Sequence, residues 1–284
     1  MNGTNNNTFF LNLIVLGGTT GEKIAATRAA GFDEAEIWRE DVEAFGQGPA
    51  ALAALCKAQG LGLTDVMVLR DFPGAPAHLR EEKRDQALQM LQMAVAIGTD
   101  TVQCPATSLA DFDALRVDED LRWLAREAAA LGLKVSYEAI AWSTLDSDVP
   151  AAWARLERLN EPNLGLAVDL FHICVRGRGV EDLFAVPVEK IYQLQLSDVA
   201  GPVSIDNREH LIHTARHHRV LPGEGRFELE PFIAYLRELR YRGPVGIEVF
   251  SDELKSRPAE DVARLAMAAL RNTWHGPHGG GGTR

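Results

Sequence analysis

Leu164-Gly165-Leu166-Ala167-Val168-Asp169 alternates large aliphatic residues with glycine, alanine and aspartate. A β-strand sends successive side chains to opposite faces, so Leu166 and Val168 share a greasy face while Gly165, Ala167 and Asp169 share a small one that ends in a charge. The same two-residue beat recurs three times. In Lys134-Val135-Ser136-Tyr137-Glu138, Val135 and Tyr137 oppose Ser136 and Glu138; in Ile191-Tyr192-Gln193-Leu194-Gln195-Leu196, Tyr192, Leu194 and Leu196 oppose Gln193 and Gln195. In Val245-Gly246-Ile247-Glu248-Val249-Phe250, the valines and isoleucine oppose Gly246 and Glu248. A strand with an apolar face for covering helices and a narrow, polar face for an enclosed interior is a barrel strand. Each carries its polar inward group near its C-terminal end, where β/α-barrel enzymes build their active sites.

Working outward, four more β-type runs precede these: Phe9 to Leu16, Ala35 to Trp38, Leu63 to Val68 and Thr101 to Gln103. Amphipathic runs lie between them: Glu22 to Ala30, Ala50 to Gln59, Arg80 to Ile97, Glu119 to Leu131, Pro150 to Leu159, Glu230 to Leu239 and Pro258 to Arg271. Several stop at a glycine (Gly31, Gly60, Gly98, Gly132), the residue that closes helices in the left-handed conformation. The stretch Val180 to Val186 is the weakest helical pattern. Eight strands alternating with helices predict an α/β fold, a single (β/α)8 TIM barrel. We expect one catalytic domain over residues 1–275 and a loose glycine-rich tail over 276–284, which has no apolar area to offset its ordering entropy.

With 284 residues, 46% hydrophobic and 24% charged, the chain suits one large core. The net charge of -11 gives no broad positive field for phosphate backbones or anionic lipid, so neither nucleic acid nor a membrane is expected as partner. Three cysteines, Cys56, Cys104 and Cys174, lie far apart with no CxxC pair, which disfavours a disulfide framework or a thiolate zinc site. With no basic start and no apolar run near the roughly 20 residues of a membrane span, a cytoplasmic location is expected.

Glu138, Asp169, Gln195 and Glu248 converge on one small volume in such a barrel. Any one of them is readily explained as an ordinary polar layer partnered by a neighbouring Arg or Lys. Three carboxylates together, however, resist ionisation unless a cation compensates them, so these four are the expected ligands of one divalent metal. Three carboxylates and an amide oxygen are hard donors, which favours Mg²⁺, Mn²⁺ or Co²⁺. His172, three residues past Asp169, is the candidate general base, although spacing alone serves a plain loop histidine as well; Glu138 and Glu248 are further acid–base candidates. A long loop after the seventh strand holds His213-Thr214-Ala215-Arg216-His217-His218-Arg219, closed by Leu221-Pro222-Gly223-Glu224-Gly225. Thr214, His217 and Arg219 are candidate substrate contacts there, whereas Arg216 reads as part of a solvated basic face. Arg70, at the end of the third strand region, pairs with Arg219 to grip an anionic group, because guanidinium matches carboxylate geometry. Trp38 and Trp142 are candidate pocket walls, and Glu36 a candidate partner for a metal ligand.

Tyr137-Glu138-Ala139-Ile140-Ala141-Trp142, Asp169-Leu170-Phe171-His172, Gln195-Leu196-Ser197-Asp198, Arg216-His217-His218-Arg219 with Pro222-Gly223-Glu224-Gly225, and Ile247-Glu248-Val249-Phe250 together resemble the xylose-isomerase-like barrel superfamily of isomerases, epimerases and dehydratases, across nearly the whole chain. Within it they are most similar to bacterial 3-dehydroshikimate dehydratases, which share glutamine at the Gln195 position, where epimerases have histidine. One departure is Ala215, which stands where that family has a substrate-contacting serine; Thr214 is adjacent. The resemblance implies an anionic hydroxy-ketone substrate whose ketone and hydroxyl meet the metal, proton loss to His172, and elimination of water to give protocatechuate, with the arginines on the substrate carboxylate. Barrels of this class are often homo-oligomers, but no interface stripe is legible. Rival readings are a ketose or keto-inositol isomerase, epimerase or dehydratase, which shares the first proton abstraction; a DNA-repair endonuclease, which needs a histidine-rich metal cluster and a basic groove; and a catalytically inactive barrel acting in assembly.

Overall fold

The computed structural model describes residues 7–276. Eight parallel strands close into a barrel in sequence order: Phe9–Asn12, Glu34–Trp38, Gly62–Met67, Thr101–Pro105, Lys134–Glu138, Leu164–Asp169, Ile191–Leu196 and Val245–Ile247, the last pairing back to the first. Helices follow most strands, among them Thr20–Ala29, Pro49–Gln59, Arg80–Ile97, Val117–Ala130, Val149–Leu159, Glu230–Glu238 and Ala259–His275. The (β/α)8 expectation therefore holds; the tail, from residue 277 onward, lies outside the described residues. No helix among the described residues is long and apolar enough to cross a membrane.

The two faces of the later strands divide as their alternation predicts. Val135, Tyr137, Leu166, Val168, Leu194, Leu196, Val245, Ile247 and Val249 belong to the core between barrel and helices. The opposite faces carry Ser136, Glu138, Asp169, Gln193, Gln195 and Glu248, all buried. Gly246 has no room for a side chain, since a Cβ there would stand 2.3 Å from the Phe10 ring. Phe10 is fully buried yet outside the outer core, as a plug of the barrel interior must be.

Three local expectations change. The first strand is shorter than Phe9 to Leu16 because the Asn12 side chain accepts from the Ile14 amide at 3.0 Å and turns the chain into a 3-10 segment, Leu13–Val15. The stretch after the sixth strand forms a short helix, Leu170–Cys174, started by Asp169, and only 3-10 turns at Val180–Leu183 and Val188–Lys190. The supposed loop after the seventh strand contains a helix, Arg208–His217. Asn207 caps it by accepting from the His210 amide at 3.0 Å, and Leu211, Thr214 and Ala215 bury one face at helical spacing. Past it, Arg219–Val220 pairs antiparallel with Asp198–Val199. The Pro222-Gly223-Glu224-Gly225 loop is held by Asp198, whose carboxylate accepts from the amides of Gly223, Gly225 and Phe227 at 3.2, 3.1 and 2.9 Å. A Cβ on Gly225 would meet that carboxylate at 2.2 Å, so the glycine serves close approach.

Candidate active site

The C-terminal ends of the fifth, sixth, seventh and eighth strands bring Glu138, Asp169, Gln195 and Glu248 to one end of the barrel, all at 5% exposure or less. Glu138, Asp169 and His172 offer ligand atoms within 4.8 Å of one another, a buried cluster with the make-up of a divalent-metal site. His172 Nε2 stands 3.5 Å from Glu138 and 3.6 Å from Asp169. Its Nδ1 accepts from the Ala141 backbone N–H at 3.2 Å, so the neutral ring carries its proton on Nε2, facing the carboxylates. Burial pulls the His172 pKa down to about 3, which keeps the ring uncharged.

Among the described residues, one guanidinium answers these carboxylates. Arg219, 2% exposed, donates from Nη1 to Asp169 at 2.7 Å and to Glu248 at 3.3 Å, with Phe171 and Phe250 rings 4.1 and 5.1 Å from the guanidinium carbon. One positive charge does not balance three negative ones. Burial first, then the Asp169 charge, push Glu138 up to about 8, and burial holds Glu248 well above the carboxylate range. Gln195 Oε1 is buried without a hydrogen-bond partner. A charge deficit, an orphaned carbonyl oxygen and a hard-donor set fit a divalent cation.

A cavity of about 110 Å³ opens onto this cluster. Glu138, His172, Arg219 and Glu248 form part of its wall, with Trp38 and Trp142 and, nearer the rim, Arg70 and Arg216. Both tryptophans thus wall the pocket as expected. Arg70 lies over Trp38, 5.2 Å from the ring centre, and Arg216 over Trp142 at 6.0 Å. The Arg70 pKa is lowered, by burial first, with Arg216 and Arg39 adding like-charge repulsion against the pull of Glu40. Asp71, beside Arg70, is used structurally: it accepts from the Ser108 amide at 2.7 Å.

Other expected contacts fall elsewhere. Thr214 and His217 do not line the cavity; Ala215 and Arg216 do, because the helix presents that edge to the barrel mouth. Thr214 is buried beneath the helix, and His217 Nδ1 pairs with Asp252 at 3.0 Å near the surface. Arg219 is engaged inside the carboxylate cluster, so the guanidinium on the cavity wall beside Arg70 that is left to meet a ligand is Arg216, which is not merely part of a solvated basic face. Its signal was positional: once Asn207 is recognised as a cap, residues 215 and 216 fall on one edge of a short helix pointing at the barrel.

A family model for the xylose isomerase-like TIM barrel matches residues 24–273. The chain belongs to the xylose isomerase-like TIM barrel family. Among relatives of this barrel, 3-dehydroshikimate dehydratase of Pseudomonas aeruginosa is 34% identical over 262 residues, 90% of this chain and 40% of that protein. The chain thus spans well under half the length of that relative. Ketose 3-epimerase of Arthrobacter globiformis is 28% identical over 271 residues, 88% of this chain and 83% of that one. A solved xylose isomerase-like TIM barrel/4-hydroxyphenylpyruvate dioxygenase fusion protein superposes with a TM-score of 0.87 at 26% identity, covering 97% of this chain and 45% of the other. The relatives of this barrel are enzymes, dehydratases and epimerases among them.

Proposed function

We propose that this barrel is a divalent-metal-dependent lyase that dehydrates 3-dehydroshikimate to protocatechuate. The observation that carries the reading is a buried hard-oxygen cluster, Glu138, Asp169, Gln195 and Glu248, which reaches through Glu138 and Glu248 a cavity whose wall also holds the cationic Arg70 and Arg216. The similarity to a 3-dehydroshikimate dehydratase supports the choice of substrate.

The four base residues would hold Mn²⁺, Mg²⁺ or Co²⁺, which when bound would supply Lewis acidity toward a ketone and its neighbouring hydroxyl. Arg70 and Arg216 grip the substrate carboxylate, an anchor that a neutral sugar does not need. Trp38 and Trp142 lie beneath these guanidiniums and form part of the cavity wall. His172 takes the proton on the carbon beside the ketone. To do so it adopts the Nδ1–H tautomer, which frees the Nε2 lone pair but leaves the buried Ala141 N–H without its acceptor, a cost of about 1–3 kcal/mol. Glu138 gives up its proton when the cation binds and serves as a ligand, so the protonated His172, 3.5 Å away, is the group that returns a proton to the departing hydroxyl. Arg219 keeps Asp169 and Glu248 in place throughout.

An ultraviolet assay with Mn²⁺-supplied protein and 3-dehydroshikimate tests this: protocatechuate absorbance should appear, and should vanish with a chelator and in Glu138→Ala. No product with active, metal-loaded protein sinks the dehydratase reading. A second reading, ketose or keto-inositol isomerisation or epimerisation, shares the proton abstraction; it is favoured by the ketose 3-epimerase similarity and by Ala215, which places a methyl group rather than a hydroxyl on the cavity wall.

A further inference from the structure

An amide is an ambiguous ligand. Its oxygen and nitrogen ends are nearly the same size, and only the hydrogen bonds around it decide which faces a cation. At Gln195 that decision is visible: Nε2 donates to Glu36 Oε1 at 2.7 Å, which leaves Oε1 as the opposite, unpartnered end. Glu36 lies on the second strand, fully buried, and reaches Gln195 across the barrel interior from 159 residues away. It suits the task because both of its carboxyl oxygens act as acceptors for the amide N–H groups around them.

Glu36 is itself held on every side. Gln193 Nε2 donates to its Oε1 at 2.8 Å and Asn12 Nδ2 to its Oε2 at 2.5 Å. Asn12 cannot turn over, because its Oδ1 accepts from Trp38 Nε1 at 2.7 Å and from the Ile14 amide at 3.0 Å. Its Nδ2 therefore faces the acids, and it also reaches Glu248 Oε1 at 3.2 Å. A pocket-wall tryptophan, an asparagine, a glutamate and the seventh-strand amide thus form one chain of fixed direction. We infer that Glu36 is a positioning residue that orients the Gln195 amide with its oxygen toward the carboxylate cluster, giving the barrel an all-oxygen ligand set for a hard divalent cation. The inference rests on the metal reading above.

Glu36→Gln tests it with little change of shape. A glutamine offers one oxygen to three N–H donors, so the amide at 195 loses its fixed sense. Partners behind a ligand are worth 10–100-fold in metal affinity, and the Mn²⁺ Kd should rise by about that factor. Calorimetric titration of metal-stripped protein with Mn²⁺ would compare wild type, Glu36→Gln, Gln195→Ala, the double variant and Glu138→Ala. If Glu36 acts through Gln195, Glu36→Gln changes the Kd less than about threefold in the Gln195→Ala background, a coupling that a merely structural role would not produce. Should Glu36→Gln fail to fold, Glu36→Asp keeps the carboxylate with a shorter reach and should show a smaller rise of the same sign. A Kd unchanged in Glu36→Gln, or a loss equally large without Gln195, overturns the inference while loss of binding in Glu138→Ala leaves the metal reading standing. A wild-type protein that binds no Mn²⁺ overturns both.

Discussion

Metal binding and pH should be coupled through Glu138. Its carboxyl ionises near the ordinary 4.5 in the unfolded chain, but burial and the Asp169 charge raise it to about 8 in the metal-free fold. Below pH 4.5 the group is protonated in both states and the fold has its full stability from this source. As pH rises from 4.5 to 8 the unfolded chain has lost the proton and the folded chain still holds it, so stability falls by about 1.4 kcal/mol per pH unit, to a total of at most about 5 kcal/mol. A bound divalent cation reverses the relation, since it must displace that proton. Metal-free protein should therefore show a melting temperature that declines from pH 5 to 8, while the Mn²⁺-loaded protein is level or rises. Calorimetry in buffers of different ionisation enthalpy should show protons released on Mn²⁺ binding at pH 7, from Glu138 and from Glu248, whose carboxyl pKa is also raised by burial, with the Glu138 share shrinking above pH 8. A metal-free melting curve independent of pH in Glu138 wild type and in Glu138→Gln alike, or metal binding without proton release, would refute the reasoning.

Replacing His172 with Asn should abolish turnover while leaving the Mn²⁺ Kd within a few-fold, and retained activity would remove it as the base. Arg216→Ala should raise KM for the carboxylated substrate by about tenfold, one charge-assisted hydrogen bond, with kcat little changed; an unaltered KM would return Arg216 to the solvated surface. Arg219→Leu strips Asp169 and Glu248 of their buried partner and should destabilise the metal-free protein by about 3–5 kcal/mol in urea unfolding, partly restored by Mn²⁺; wild-type stability would show that the ion pairs carry no net weight.

Periodicity alone determined a good deal about this chain. The two-residue alternation in the fifth to eighth strands is local, follows from strand geometry, and told which side chains face inward; the glycine stops marked helix ends equally locally. Together they placed Glu138, Asp169, Gln195 and Glu248 at one end of a barrel. Tertiary structure decided the rest, because contacts between strands far apart in sequence depend on closure and register, which no local pattern carries. Glu36 meets Gln195, and Asn12 meets Glu248, only once the first and eighth strands pair. The Arg208–His217 helix was concealed by its polar, histidine-rich composition, although Leu211, Thr214 and Ala215 keep helical spacing. Its packing against the barrel mouth exchanged the roles of two arginines three residues apart: Arg216 turns to the cavity rim, and Arg219, beyond the helix end, is drawn into the carboxylate cluster by the charge that burial leaves uncompensated there.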